Sequence, residues 1–554
     1  MMIKLNIVGG EPITVEEGST LEQVARSLSF ERQPVAAIVN GNIQELDYPL
    51  YIDSEVKWVD YNCNLGWRTY TRSLIFLMRM VIGERFPDLK LMVSHSLSQG
   101  MFCWLIGPEG RINDPARIAT IEKHMKEYVE ANLRLKKTAV SREDAAAYFA
   151  SQGQPGKASL VLRRPEHTIT MYQAQGYRDY YFGIMATSLS CLEEFELEPF
   201  DDGFVLYLPN RQYLGREKKL DYLPMQLQAT MAEFNDWSTL MGIRTVDQLN
   251  EIVERPGDDF TDLILIAETL QERYLHDISD AIYADFPKVR LVLLAGPSSS
   301  GKTSTCRRLG IQFRTLGVHP VQISMDDYYV DREKTPLGPD GQPDYECVEA
   351  LDVELFQQNM RELLEGKEAS LPRYDFKAGR SIKDHRRLRL ADDQILIVEG
   401  IHALNPRLSD SIPKEQKRCI FISALTQLNL DDYNPLSASD NRLIRRMVRD
   451  MQFRNLSPSN TLALWDKVRR GENIHIYPHH ENADFFINSV LIYELPVLRP
   501  LAEGPLSEIG PEDPNYLEAQ RVLKLIRLFS PAPSDAVPRS SILQEFLGHS
   551  LFDV

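Results

Sequence analysis

The chain is 554 residues long, more than one hydrophobic core accommodates, so several domains are expected. With 43% hydrophobic and 25% charged residues it is not disordered throughout, and 62 Lys and Arg against 79 Asp and Glu give a net charge of −17, which argues against a broad, sequence-independent grip on nucleic acid. The six cysteines (Cys63, Cys103, Cys191, Cys306, Cys347, Cys419) form no CxxC pair, the first residues lack the apolar core of a secretion signal, and no apolar run approaches a membrane span; a cytoplasmic protein with no membrane partner is expected.

Residues 1 to about 60 read as a small β-rich unit. IKLNIV alternates apolar and polar residues, ITVEEG ends in a turn, STLEQVARSL is an amphipathic helix with Ser19 as its candidate cap, and VAAIVNG returns as a strand. From about Gly66 to Pro209 a helix over TRSLIFLMRMVIGERF precedes strands at LKLMVS and GMFCWLIG, then helices, then aromatic strands near ITMYQAQGYRDYYFG. A helix-rich bridge follows, roughly Leu220 to Phe286. Strands and helices then alternate: VRLVLLAG, a helix from Lys302, HPVQISMDD, LDVELFQQNMRELLEG, DQILIVEGIHAL, RCIFISA, the helix NRLIRRMVRDMQFR and a strand over ADFFINSVLIYEL. That order predicts a mostly parallel sheet. The tail from about Asp513 carries one helix, a Pro-rich joint (SPAPSDAVPRS) and a short final helix.

The stretch GPSSSGKT fits G-x-x-x-x-G-K-[ST] and lies between an apolar strand and a helix, the context its mechanism needs. Backbone N–H groups of such a loop curl around phosphate, the lysine neutralises the β and γ oxygens, and the hydroxyl after it can hold magnesium. ATP is therefore expected on Gly296, Pro297, Ser298, Ser299, Ser300, Gly301, Lys302, Thr303 and Ser304, with Thr303 toward Mg²⁺. At the end of the next strand ISMDDYY presents Asp326 and Asp327, and ILIVEG ends in Glu399. A carboxylate at the carboxyl end of such a strand can take the proton of an attacking hydroxyl, and a second can hold the metal directly or through water. The helix NRLIRRMVRDMQFR spaces Arg442, Arg446 and Arg449 onto one face, able to close over a nucleotide; a solvated basic face is the alternative.

From about Val289 to Pro496 the chain resembles the uridine/cytidine kinase branch of the phosphoribulokinase-like P-loop kinases, because GPSSSGKTS, ISMDDYY, PRYDF, VEGIHAL, RLIRRMVRD and ADFFINS follow in that family's order. The resemblance implies that Lys302 and Thr303 grip ATP and Mg²⁺, Asp326 is the base for a ribose 5′-hydroxyl, Glu399 assists the metal, and Arg446 and Arg449 touch phosphates. It places the acceptor nucleoside against Asp326, Tyr329, Glu346, Tyr374 and Arg454, with Glu346 where the family has an aspartate for the ribose hydroxyls. Two positions depart: Gly379 stands for a base-reading histidine and Leu456 for an arginine of the nucleoside pocket, so the base is left open.

The first 230 residues resemble the TGS and editing-type domains of threonyl-tRNA synthetase, through IKLNIVGGEPITVEEGSTLEQVA, RSLIFLMRMVIGERFPDLKL and SREDAAAYFASQGQPGK. That editing domain carries HxxxH and CxxxH ligand pairs; here Arg72 and Phe76 replace the two histidines, and Tyr181 and Met185 the Cys and His. Neither editing nor zinc is expected, and His95 is read as an ordinary histidine. The combination resembles a bacterial type of uridine kinase-like nucleoside kinase. The implied fold is α/β: a P-loop kinase core with a mostly parallel sheet (288–503), preceded by a β-grasp-like TGS domain (1–62), a degenerate α+β editing-like domain (63–225) and a helical linker (226–287), and followed by a helical tail (504–554). The expected partners are ATP and a nucleoside, uridine or cytidine first, with self-association left open. The alternatives are a kinase of another small hydroxyl compound, and a nucleotide-dependent RNA-binding regulator, which the acidic balance disfavours.

Overall fold

A computed structural model describes residues 1–97, 100–209, 225–338, 341–426 and 428–552; the expected start of the helical bridge at Leu220 lies outside them. The N-terminal sheet has five strands in the order Ile13–Glu16, Met2–Ile7, Ser54–Val59, Ala36–Val39, Asn42–Gln44. The alternation of its first strand buries Ile3 and Leu5 against Leu21 and Val24 of the helix Leu21–Arg26, the pattern of a half-buried strand facing one helix. That helix is capped by Thr20 and not Ser19: the Thr20 hydroxyl accepts from the Gln23 N–H while the Gln23 side chain accepts from the Thr20 N–H, and the box needs the cap three residues before Gln23.

The 22-residue helix Asn64–Arg85 buries nearly a whole turn-by-turn face, from Tyr70 and Leu74 to Val81 and Ile82, against the sheet built on Lys90–Leu97 and Gly100–Gly107. A three-stranded sheet of Lys136–Ser141, Thr168–Ala174 and Tyr177–Asp179 completes this region.

The C-terminal core is a parallel five-stranded sheet in the order His319–Ser324, Gln394–Glu399, Leu291–Ala295, Lys417–Ser423, Phe485–Asn488. Its central strand is buried at every residue, as a strand covered on both faces must be. The expected long strand over ADFFINSVLIYEL is only four residues, Phe485–Asn488; Glu494 opens a helix to Ser507 instead. Two elements give no signal in the sequence: the hairpin Glu368–Asp375 with Arg380–Arg389, whose second strand is mostly charged and almost wholly exposed, and the helix Pro458–His475.

The front and rear of the chain share a core. Leu160, Ile243, Val246 and Leu263 pack in one apolar cluster with Leu443 and Met447 of the helix Ala438–Phe453 and with Phe546 near the C-terminus. A polar lock lies beside it. Asp431 folds the tight hairpin Asn429–Pro435 by accepting from the Tyr433 and Asn434 N–H groups, and the hairpin carries Tyr433 into the N-terminal region. There the buried Lys157 ammonium sits 2.7 Å from Asp179, 3.2 Å from Asp431 and 4.4 Å from the Tyr433 ring centre. Backbone contacts fix the same joint, with Val93 N–H donating to Asp432 O and Asn429 Nδ2 donating to Val93 O.

Candidate active site

The phosphate loop leaves the central strand at Gly296, where a Cβ would overlap the carbonyl oxygen of Ile422 on the neighbouring strand. Ser299 (φ 59°) and Gly301 (φ 82°) both take the left-handed conformation that turns successive N–H groups inward, and the helix Lys302–Thr315 starts directly after. Lys302 Nζ lies over the loop, donating to Gly296 O (3.0 Å) and Pro297 O (3.2 Å). The Ser299 and Ser300 hydroxyls are buried and, among the described residues, have no hydrogen-bond partner. Left-handed backbone, a helix N-terminus, a lysine and two unpaired buried hydroxyls fit a nucleotide's phosphates.

The arginine helix Ala438–Phe453 is stitched to this loop at Ser298. Arg446 Nη1 donates to Ser298 Oγ (2.8 Å), Arg442 Nη1 to Ser298 O (3.0 Å), and Ser298 N–H donates to Glu472 (3.1 Å). Arg442 therefore does not share an open face with Arg446 and Arg449. It is fully buried in a bidentate pair with Glu472 (2.5 and 2.8 Å), and although burial pushes the Glu472 carboxyl upward, Arg442 outweighs it and holds it below the usual range. Nothing in the sequence flags Glu472, because its partner lies 30 residues away on another helix. Arg449 and Arg454 both face Asp450 (3.2 and 3.5 Å).

Across the cleft, the strand ends deliver the acids. Asp327 is turned away, its carboxylate accepting from the Tyr374 N–H (3.3 Å) and so pinning the hairpin to the strand end. Asp326 stands exposed at the strand end, and the surrounding protein still pushes its carboxyl above the usual range, against the pull of Lys302 and Arg454. Burial and the neighbouring Asp326 push Glu399 up to about 7, opposed by Lys302 and by the Ser324 hydroxyl, which donates to Glu399 Oε1 (3.0 Å). These mutual influences bring Lys302, Asp326 and Glu399 into one electrostatic neighbourhood.

On the acceptor side Tyr329, Tyr374 and Phe376 form an aromatic wall, with ring centres 5.6 Å apart for Tyr329 and Tyr374 and 5.0 Å for Tyr374 and Phe376. Phe376 is 59% exposed and Tyr374 is buried behind it, so the open edge of the wall is Phe376. The Arg332 side chain packs over Gly379 and donates to Phe376 O (3.0 Å), occupying the space a side chain at 379 would need. Leu456 closes the end of the arginine helix, its N–H donating to Asp450 O (3.2 Å).

Glu346 packs on Gly471 beside the cleft, and burial, then the nearby Glu472, push it up to about 7. An ordinary carboxyl ionises near 4.5, so the folded protein keeps this proton longer than the unfolded chain does. Stability from this group is full below that value and is lost as pH rises through about 7. Glu346→Gln is therefore expected to flatten the fall in melting temperature between pH 5 and 8 relative to the native protein, a comparison differential scanning calorimetry makes directly.

The positions that would carry the editing-type ligands are filled. Phe76, Tyr181 and Met185 are fully buried in one apolar cluster, and Arg72 donates to Ile184 O (2.9 Å). His95 hydrogen-bonds Ser94 Oγ (3.0 Å) and Gln228 Oε1 (3.1 Å), and burial drives its pKa down to about 4, so it is neutral at physiological pH.

A parallel sheet with a phosphate loop on its central strand and carboxylates at neighbouring strand ends defines the class of P-loop nucleotide-binding proteins. Within that class, residues 291–495 match the model of the Phosphoribulokinase / Uridine kinase family, so this part of the chain is a kinase domain of that family. The N-terminal region is homologous to threonine–tRNA ligases. That of Desulforamulus reducens is 28% identical over 199 residues, 35% of this chain and 31% of the ligase, and threonine–tRNA ligase 1 of Bacillus subtilis is 29% identical over 199 residues with the same shares. The chain thus spans 31% of the length of these relatives. Among solved structures, a "possible uridine kinase" from Bacillus stearothermophilus is 24% identical, covering 27% of this chain and 79% of its own at a TM-score of 0.23. No helix among the described residues is long and apolar enough to cross a membrane.

Proposed function

We propose that this chain is an ATP-dependent nucleoside kinase that moves the γ-phosphate of ATP to the 5′-hydroxyl of a ribonucleoside, uridine or cytidine first. The observation that supports this reading is the convergence of Lys302, Asp326 and Glu399 on one side of the cleft with the aromatic wall of Tyr329 and Tyr374 on the other. Asp326 is the base that takes the hydroxyl proton. Lys302, Arg446 and Arg449 orient and neutralise phosphate oxygens, and the loop from Gly296 to Ser304 holds them through its backbone and hydroxyls. Glu346 and Arg454 hold the acceptor's hydroxyl groups, and the tyrosines hold its base. Thr303 and Glu399 would hold the magnesium ion, which supplies charge neutralisation on the nucleotide when bound. Phosphoryl transfer needs little covalent help, so positioning of this kind supplies most of the rate.

One observation favours a second reading, a different small hydroxyl acceptor: Arg332 fills the space over Gly379 and changes the chemistry of the acceptor wall. A panel of nucleosides, sugars and hydroxy acids, incubated with protein and Mg·ATP and resolved by mass spectrometry, separates the two. A 5′-monophosphate is the expected product. ATP consumption only with a non-nucleoside would transfer the assignment to that acceptor, and RNA binding with no phosphorylated product would leave a non-catalytic role.

A further inference from the structure

The last helix of the chain ends on the phosphate loop. Glu545, in the short helix Gln544–Leu547, accepts a hydrogen bond from the Ser304 hydroxyl at 2.9 Å, in the first turn of the loop's helix and two residues beyond Lys302. The Arg449 guanidinium lies 3.9 Å from the same carboxyl group. Ile542 packs so closely on Gly301 that a Cβ there would come within 2.5 Å of it, and Phe546 lies against the Arg445 guanidinium, 5.2 Å from its ring centre. Arg445 in turn donates to Ser299 O (3.4 Å) and Ser489 O (2.7 Å), joining the loop to the end of the sheet's edge strand. A carboxylate on a helix N-terminus between a hydroxyl and an arginine, with a ring on a second arginine beside it, reproduces the chemistry of a nucleotide: an anion on the loop and a flat apolar group on a cation.

We propose that the C-terminal segment Ser541–Leu547 is a built-in competitor of the nucleotide, with Glu545 holding a carboxylate where a phosphate binds, so that the segment shifts away when ATP enters. This rests on the reading of the loop as an ATP site. Glu545 adds to the electrostatic pressure on Glu399, so its departure also eases the crowding of acids in the cleft. The segment is otherwise well anchored: Ile542, Leu543 and Phe546 are fully buried, and the Ser541 hydroxyl lies 3.4 Å from Tyr493 Oη. While seated it therefore lowers apparent affinity, to the intrinsic affinity multiplied by the fraction of molecules in which it is already displaced.

Two measurements on the full chain test this. Isothermal titration of Mg·ATP should give a dissociation constant about tenfold lower for Glu545→Gln than for the native protein, because the amide keeps the shape and removes the charge that repels phosphate. Hydrogen–deuterium exchange on the native protein, which needs no variant to fold, should show the amides of 541–547 losing protection when Mg·ATP is added. Equal or weaker binding by Glu545→Gln, or gained protection of 541–547, overturns the competitor while leaving the kinase reading intact. No ATP binding by native protein or variant at millimolar nucleotide overturns both.

Discussion

Asp326→Asn is expected to bind Mg·ATP about as well as the native protein and to turn over at least about 10²-fold more slowly. The asparagine keeps the size and one oxygen, but an amide cannot take up the acceptor's proton. Its position dictates that signature. Asp326 stands at a strand end in the neighbourhood of Lys302 and Glu399, where the surrounding protein already raises its proton affinity while Lys302 and Arg454 favour the anion. Lys302→Ala gives the contrasting pattern, with ATP binding and turnover falling together, because Lys302 sits on the loop itself through Gly296 and Pro297. Steady-state kinetics with a nucleotide titration on each variant separates the two; a turnover number for Asp326→Asn within a few-fold of the native value would place the base elsewhere.

Lys157→Met is expected to have the largest effect on stability, a loss of about 3–5 kcal/mol, read as a lowered midpoint in urea. Methionine fills the same volume, so the loss is electrostatic. Without the ammonium, Asp179 and Asp431 lie buried without that cation, left with neutral hydroxyl and amide donors from Tyr433, Tyr177, Tyr180 and Asn434. Adding Asp179→Asn to Lys157→Met should recover part of the loss, since a neutral amide needs no counter-charge. A surface pair such as Lys123 and Glu127, 3.9 Å apart and half exposed or more on both sides, sets the scale for comparison: its removal should cost under about 1 kcal/mol.

The phosphate loop was legible because its chemistry is local. Eight consecutive residues carry the backbone conformations, the lysine and the helix start, and the strand before them is apolar throughout. The acids at 326 and 399 were legible for a related reason: each ends a recognisable strand, and parallel strands bring their carboxyl ends to one edge. The role of Arg442 was not. Periodicity places it on the same stripe as Arg446 and Arg449, and only the approach of a second helix bearing Glu472 decides that it is buried and paired. The hairpin Glu368–Arg389 was hidden because its second strand, RSIKDHRRLR, presents charge on both faces and so lacks the alternation that marks a half-buried strand. Glu545 had no signal at all, since its meaning comes from a contact across 241 residues.

The apolar cluster joining Leu160, Ile243 and Leu263 to the arginine helix bears on how such a chain can be inherited. A piece starting at the phosphate-binding strand would carry away Asp431 and Tyr433 without Lys157, and would bare the face of Leu443 and Met447 that those residues cover. Removal of the synthetase-like front is thus expected to destabilise the phosphate-binding core along with it. A substitution on one side of the joint is felt on the other, because both sides share one apolar cluster and one buried cation.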